Sequence, residues 1–292
     1  MNNSFFKKKQ YFIYILFFSL FISCSENEVI QIIDTSTAKE FRDVKYGESP
    51  EHIFDIYLPK NRLENTTKVL VLVHGGSWIS GDKKDLKEAY ETLKLKFPNY
   101  AIVNINYQLA GIGKSPFPMQ INDIDKLIKN LKSKTYKYQI SNKFAFIGVS
   151  AGAHLSMLYS YTSNNLNEVK MVCSIVGPTN FTDTNYVSNP DYSNFIAGAQ
   201  LLTGVSYDDN VEYYKNVSPF HVVTSKAPPT ILFYGGKDEL IPSSQGIEMH
   251  AKLNDLGVVN EFTFYENEGH GWEGENLVDT YNKLESFIKT HF

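Results

Sequence analysis

Hydrophobic residues alternate between short unbroken runs and helical stripes along most of the chain. Lys68-Val69-Leu70-Val71-Leu72-Val73 is continuous, apolar and β-branched, as a strand buried on both faces requires. Tyr100–Tyr107, Lys143–Ile147, Lys170–Val176, Pro229–Tyr234 and Glu261–Tyr265 read as further strands. Between them lie helical stretches. Asp85–Phe97 carries Leu86, Ala89, Tyr90, Leu93 and Leu95 mostly on one side, and Pro118–Lys134 carries Ile121, Ile124, Leu127, Ile128 and Leu131 on one stripe. Ala151–Tyr161 is rich in Ala, Leu and Met. Ser243–Leu256 has Ser243 as a cap and Gly257 as its stop, and Asn276–Phe292 closes the chain. Upstream, Phe41–Tyr46 and His52–Leu58 flank a Gly47-Glu48-Ser49-Pro50 turn and predict an antiparallel pair. Strand and helix alternate from Lys68 onward, which predicts an α/β domain over residues 39–292. Its sheet is mostly parallel, of about eight strands, with helices on both faces. Thr179 to Asn216 breaks the rhythm: it is rich in Asn, Asp, Thr and Tyr, with one helix-like piece near Phe195–Leu202. It is expected to be a cap facing the substrate.

The first residues follow a different logic. Lys7-Lys8-Lys9 precedes the apolar run Tyr11–Ile22, shorter than the roughly 20 residues of a spanning helix and suited to the core of a secretory signal. The run ends at Ser23-Cys24-Ser25, which resembles the lipobox of bacterial lipoproteins, with Phe21 where that motif usually has leucine. Residues 1–24 are therefore expected to be a lipoprotein-type signal, with Cys24 the lipidated first residue of an exported, membrane-anchored protein. An ordinary signal peptide cleaved nearby, or a signal anchor, is the alternative. Residues 25–38 are polar and without a strong period, and are expected to be a tether. The other cysteine, Cys173, sits in the apolar run Met171–Val176 as a core residue; with Cys24 lipidated, no intramolecular disulfide is expected.

With 292 residues, 42% hydrophobic and 14% aromatic, the chain has material for a large core, and its net charge of −4 gives no reason to expect a nucleic-acid partner. Acidic, cysteine and histidine residues do not cluster at metal-ligand spacing, so neither metal nor cofactor is expected.

The chemistry gathers at strand ends. Gly148-Val149-Ser150-Ala151-Gly152 lies between a predicted strand and a predicted helix, the context of a nucleophile elbow that lifts Ser150 clear of the sheet. A serine hydroxyl needs a base. Of seven histidines, His270 is the candidate, because it stands between glycines on a loop after the last strand. His52 falls in an early strand, His221, His250 and His291 in surface or helical settings, and His154, one turn past Ser150, is expected to pack or bond nearby structure. Asp238, at the first turn after Pro229–Tyr234, is the candidate to orient the base; Glu239 and Asp183 compete for that role. The order Ser150, Asp238, His270 is that of an α/β-hydrolase triad. A tetrahedral intermediate needs N–H donors. Ala151 is one candidate, and Gly76 or Ser77 of His74-Gly75-Gly76-Ser77-Trp78 supplies the other, with His74, Gly75 and Trp78 supporting the loop. In an open parallel sheet, ligands bind outside the carboxyl ends of the strands, so these distant segments should meet at one edge.

His74-Gly75-Gly76-Ser77-Trp78 with Gly81-Asp82-Lys83, and Gly148-Val149-Ser150-Ala151-Gly152-Ala153-His154, resemble the esterase/lipase group of α/β-hydrolases with an H-G-G-x-W loop. That group includes bacterial feruloyl and acetyl esterases and the arylformamidases. Asp55-Ile56-Tyr57-Leu58-Pro59 and Asn106-Tyr107 resemble its strand endings, and the likeness covers about Phe41 to Phe292. Ser77 stands where lipase-like members have a third glycine, and Gln108 where arginine is common. The resemblance implies an extracytoplasmic serine esterase acting on small-molecule or carbohydrate esters, acetyl or feruloyl among them. The alternatives are an arylformamidase-like amide hydrolase, or an inactive, lipid-anchored glycan-binding protein on the same fold. The cap's polar aromatics point to short acyl groups.

The N-terminal reading has a direct test. Cys24→Ala should abolish incorporation of a labelled fatty acid and leave the protein unprocessed or soluble; label persisting in the variant would contradict a lipid anchor at Cys24.

Overall fold

The computed structural model describes residues 31–163, 167–192 and 194–292. Ile32–Phe292 forms one compact unit. The predicted leader, Cys24 and the tether through residue 30 lie outside the described residues.

Among the described residues, eight strands form one sheet: β1 (Lys39–Lys45), β2 (Ile53–Leu58), β3 (Val69–Val73), β4 (Ala101–Ile105), β5 (Phe144–Val149), β6 (Val169–Ile175), β7 (Thr230–Gly235) and β8 (Asn260–Tyr265). Their spatial order is β1-β2-β4-β3-β5-β6-β7-β8. β2 pairs antiparallel with both β1 and β4, and all other pairs are parallel, as the alternation predicts. Val73 sits beside Gly148, Val149 beside Ile175 and Gly235 beside Tyr265. The loops after β3, β5, β7 and β8 therefore leave from one edge.

The helices are α1 (Lys87–Lys96, entered through a 3-10 turn at Lys83–Leu86), α2 (Met119–Ser133), α3 (Thr135–Tyr138), α4 (Ala151–Thr162), α5 (Thr184–Ser188), α6 (Asn194–Thr203), α7 (Val211–Asn216), α8 (Pro219–Val222), α9 (Ser244–Asp255) and α10 (Gly274–His291). Strand side chains alternate faces, so β3 feeds two cores. Val69, Val71 and Val73 pack with Ile124 and Leu127 of α2, Leu155 of α4 and Met249 of α9. Leu70 and Leu72 pack with Tyr90 and Leu93 of α1 and Phe287 and Ile288 of α10. Cys173 is fully buried in the second core, and burial pushes its thiol pKa up.

Four local expectations need correction. Leu95 is 83% exposed rather than part of the α1 stripe. Ser243 makes no capping bond, although Gly257 does end α9 in the left-handed region, with Gly257 N–H on Asn254 O and Val258 N–H on Leu253 O. Among its described residues the insertion holds three helices rather than one; α5 and α7 start where Asp183 and Asn210 side chains accept from Asn185 N and Tyr213 N. Finally, the end of the tether is docked. The buried Arg62 must place its guanidinium donors, and it finds the carbonyls of Ile33 (2.7 Å), Asp34 (2.8 Å), Pro59 (3.1 Å) and Tyr138 (2.8 Å). Residues 33–34 are thereby fixed to the domain.

Candidate active site

Ser150 occupies the turn from β5 to α4 with φ 53° and ψ −123°. A positive φ on a residue other than glycine is strained, by roughly 1–3 kcal/mol, and persists only where the surroundings enforce it. Here Ser150 N–H donates to Ile175 O (2.8 Å), while Ser150 O accepts from Ala153 N (3.0 Å) and His154 N (3.1 Å). The flanking glycines serve close packing rather than the bend itself. A Cβ on Gly152 would overlap the carbonyl oxygens of Val73 and His74.

His270 Nε2 lies 2.9 Å from Ser150 Oγ, and His270 Nδ1 lies 2.8 Å from Asp238 Oδ2. A carboxylate only accepts, so Nδ1 carries the proton and Nε2 offers a lone pair to the serine hydroxyl. The Asp238 side chain is buried, and its Oδ1 accepts from Leu240 N (2.9 Å) and Ile241 N (3.0 Å). Tyr192 of the insertion donates its hydroxyl to Asp238 O at 2.9 Å. The competing carboxylates are elsewhere: Asp183 caps α5 and accepts from Gln245 Nε2 at 2.6 Å and from the Ser244 hydroxyl, and Glu239 is exposed on the wall of the cleft.

The loop after β3 closes over the serine. Gly76, Ser77 and Trp78 hold consecutive positive φ values of 112°, 50° and 65°. At Gly76 a Cβ would overlap the Ser80 carbonyl, so only glycine fits. Its carbonyl accepts from Ile79 N (3.0 Å) and Ser80 N (2.9 Å). Trp78 O accepts from Ala110 N (2.8 Å) and Gln120 Nε2 (2.7 Å). His74 donates Nδ1–H to Gly75 O at 2.7 Å and stacks on Tyr107 with centroids 4.3 Å apart, while the Tyr107 hydroxyl donates to His74 O at 2.7 Å. Burial lowers the pKa of His74. Beyond the loop, the nearly inaccessible Lys83 reaches Asp55 Oδ1 at 2.8 Å, and its backbone N–H and C=O are held by Asn106 Oδ1 and Asn104 Nδ2, both at 2.6 Å. Among the described residues, the N–H groups of Gly76, Ser77 and Ala151 have no protein acceptor. Ala151 opens α4 and so has no intrahelical partner. Ser150, His270, Asp238 and the loop after β3 thus meet at one edge of the sheet.

The BD-FAE family model matches residues 54–253, more than half of the chain and the stretch that carries the donor loop, the elbow and Asp238. The chain belongs to the BD-FAE family. It is 27% identical over 252 residues to esterase LipC of Mycobacterium tuberculosis, which covers 82% of this chain and 60% of that protein. The chain therefore spans less than two thirds of the length of this curated relative. Among solved structures, it superposes on a bifunctional GH43-CE protein of Bacteroides eggerthii with a TM-score of 0.73 at 23% identity, covering 87% of this chain and 38% of that one. It also superposes on a truncated carbohydrate esterase from gut microbiota with a TM-score of 0.69 at 21% identity, covering 87% and 99%. These likenesses show the fold, an α/β-hydrolase sheet with its helices.

In this BD-FAE chain, Ser150 and His270 open into a cleft of about 380 Å³. Trp78, Ile79, Phe195, Leu201, Leu202 and Leu240 make much of its wall, with Asp191, Asn194 and Glu239 among its polar groups. The helix-like piece expected near Phe195–Leu202 is α6, and it adds an apolar wall to the cleft beside the insertion's polar aromatics. Its sequence, Asn194–Thr203, carries no charged residue.

Sequence reasoning passed over the residues that brace the loop. Gln120 holds Trp78 O and also Gln108 O (2.8 Å). Asp123 is fully buried and accepts from Gln108 N (2.9 Å), Gln108 Nε2 (3.1 Å) and His52 Nε2 (2.8 Å). Gln108 thus serves as a neutral partner of Asp123. A signal existed: Gln120 and Asp123 prolong the apolar stripe of α2 at helical spacing, where a polar residue is buried and must find partners.

The geometry separates the three candidate acids. Asp238→Asn should lower kcat by about a thousandfold or more with little change in KM, whereas Glu239→Gln and Asp183→Asn should stay within about tenfold of wild type. Steady-state kinetics on a nitrophenyl ester checks this; a dead Asp183→Asn beside an active Asp238→Asn would contradict it.

Proposed function

We propose that this protein is an exported serine esterase that hydrolyses short-chain carboxylic esters, including acetyl or feruloyl esters on carbohydrates. The observation that carries the reading is the relay from Ser150 Oγ to His270 Nε2 and from His270 Nδ1 to Asp238 Oδ2, at 2.9 and 2.8 Å. In the mechanism, His270 Nε2 takes the hydroxyl proton as Ser150 Oγ attacks the acyl carbon. Asp238, fixed by two backbone N–H groups, holds the imidazole in the required tautomer and stabilises the imidazolium. The developing oxyanion is met by the N–H of Ala151 and by a donor of the Gly76–Ser77 segment. Collapse expels the alcohol, protonated by His270, and leaves an acyl-serine. Water, deprotonated by the same imidazole, then releases the acid and restores Ser150.

The cleft supports a small ester. Its volume lies near the lower end of the ~300–1,000 Å³ typical of ligand sites, and its apolar wall suits a compact acyl or aryl group. The relatives, an esterase and a carbohydrate esterase, agree with this class of reaction. Export and anchoring rest on the Lys7–Lys9 basic start, the Tyr11–Ile22 apolar run and Ser23-Cys24.

A substrate panel tests the reading. Turnover should be measured on p-nitrophenyl acetate, p-nitrophenyl laurate, acetylated xylan, methyl ferulate and N-formylkynurenine. The acetate should be hydrolysed faster than the laurate, and an acetyl or feruloyl ester in preference to the formamide. A faster laurate would overturn the short-chain reading; a formamide-only activity would overturn the esterase.

A further inference from the structure

His154 is fully buried one turn beyond Ser150, and the relay does not use it. Its two ring nitrogens are both engaged. Trp78 Nε1, which can only donate, lies 3.3 Å from Nδ1, and Val217 O, which can only accept, lies 2.8 Å from Nε2. The ring is therefore neutral and held in the Nε2–H tautomer. Burial lowers its pKa to about 4, against the opposing bond to Val217 O, so it stays neutral near pH 7.

The two partners belong to different parts of the site. Trp78 ends the run of three positive-φ residues in the donor loop. Val217 follows α7, at the end of the insertion. Aromatic rings complete the clamp. Trp78 packs edge-on to His154, Phe117, Phe181 and Phe195, with centroids 5.4, 6.0, 5.7 and 6.0 Å away, and His154 stacks on Phe181 at 4.9 Å. Phe195 belongs to α6 and stacks on Tyr186 of α5 at 3.8 Å. A strained backbone holds its shape only if its neighbours enforce it. The Trp78 carbonyl is enforced by Ala110 and Gln120, and its indole N–H donates to His154.

We propose that His154 is a positioning residue: by bridging the cap at Val217 to the indole of Trp78, it holds the donor loop where the oxyanion forms. This rests on the esterase reading above. It requires that loosening the bridge weaken transition-state stabilisation while leaving ester binding nearly intact.

The test is a double-mutant cycle on p-nitrophenyl acetate, with kcat expressed per active site titrated by a phosphonate, so that only folded, reactive protein is counted. Trp78→Phe removes the donor and keeps a ring. His154→Phe removes both polar contacts and keeps a stacking face. Each should lower kcat about tenfold to a hundredfold with KM changed less than about threefold, and the double variant should be no worse than the weaker single one. His154→Gln, which retains an amide N–H and a carbonyl oxygen, should lose less than His154→Phe. A histidine that merely supports the fold would change thermal stability and the titratable fraction but not kcat per site. Wild-type-like kcat in both single variants, multiplying losses in the double, or equal losses for Gln and Phe would overturn the proposal. A wild-type protein that neither hydrolyses the ester nor titrates would overturn the esterase reading itself, and this inference with it.

Discussion

The turn between β5 and α4 forces Ser150 into a left-handed backbone, and much of the surrounding architecture serves that constraint. The turn is possible because α4 approaches the ends of β3 and β5 without side chains in between. Gly152 lies against the carbonyls of Val73 and His74, and the Ser150 amide is tied to Ile175. A second close approach brings the loop after β3 onto Ser150: a Cβ at Gly75 would stand 3.1 Å from the Ser150 Cβ. Close packing of backbone on backbone thus sets both Ser150 and the loop after β3.

Strain of this kind needs enforcement, and the protein supplies it with buried polar groups. The loop after β3 is held at the His74 carbonyl by Tyr107, at the Trp78 carbonyl by Gln120, and further along at Lys83 by Asp55, Asn104 and Asn106. Each bond counts for more inside the protein than on the surface, because losing one leaves a buried group without a partner. The insertion joins this scheme. It contributes Tyr192 to the backbone of Asp238 and much of the apolar wall of the cleft, and Val217, directly after it, accepts from His154. The segment that walls the cleft is therefore also bonded to the backbone of Asp238.

The strands, their parallel run and the meeting of four loops were legible in the sequence because each rests on a local pattern. Val69–Val73 and Phe144–Ile147 are apolar without interruption, and the glycine-flanked Ser150 and His270 announce themselves at strand ends. What was not legible depends on partners far away in the chain. Asp183 and Asp238 both follow strands, and only the fold shows one capping α5 while the other faces His270. Residues 33–34 read as part of a tether because Arg62, which binds their carbonyls, lies nearly thirty positions downstream. The short helices α5 and α7 carry too few residues for a period to show, and their caps are visible only once the chain has turned.

The account stands or falls on Ser150 as a nucleophile activated by His270. Reaction of the wild-type protein with a fluorophosphonate, followed by intact-mass and peptide analysis, measures this directly. One adduct per chain should form, located on Ser150, and it should be lost in Ser150→Ala and strongly slowed in His270→Ala. An adduct at another residue, or one formed equally well in Ser150→Ala, would contradict the account.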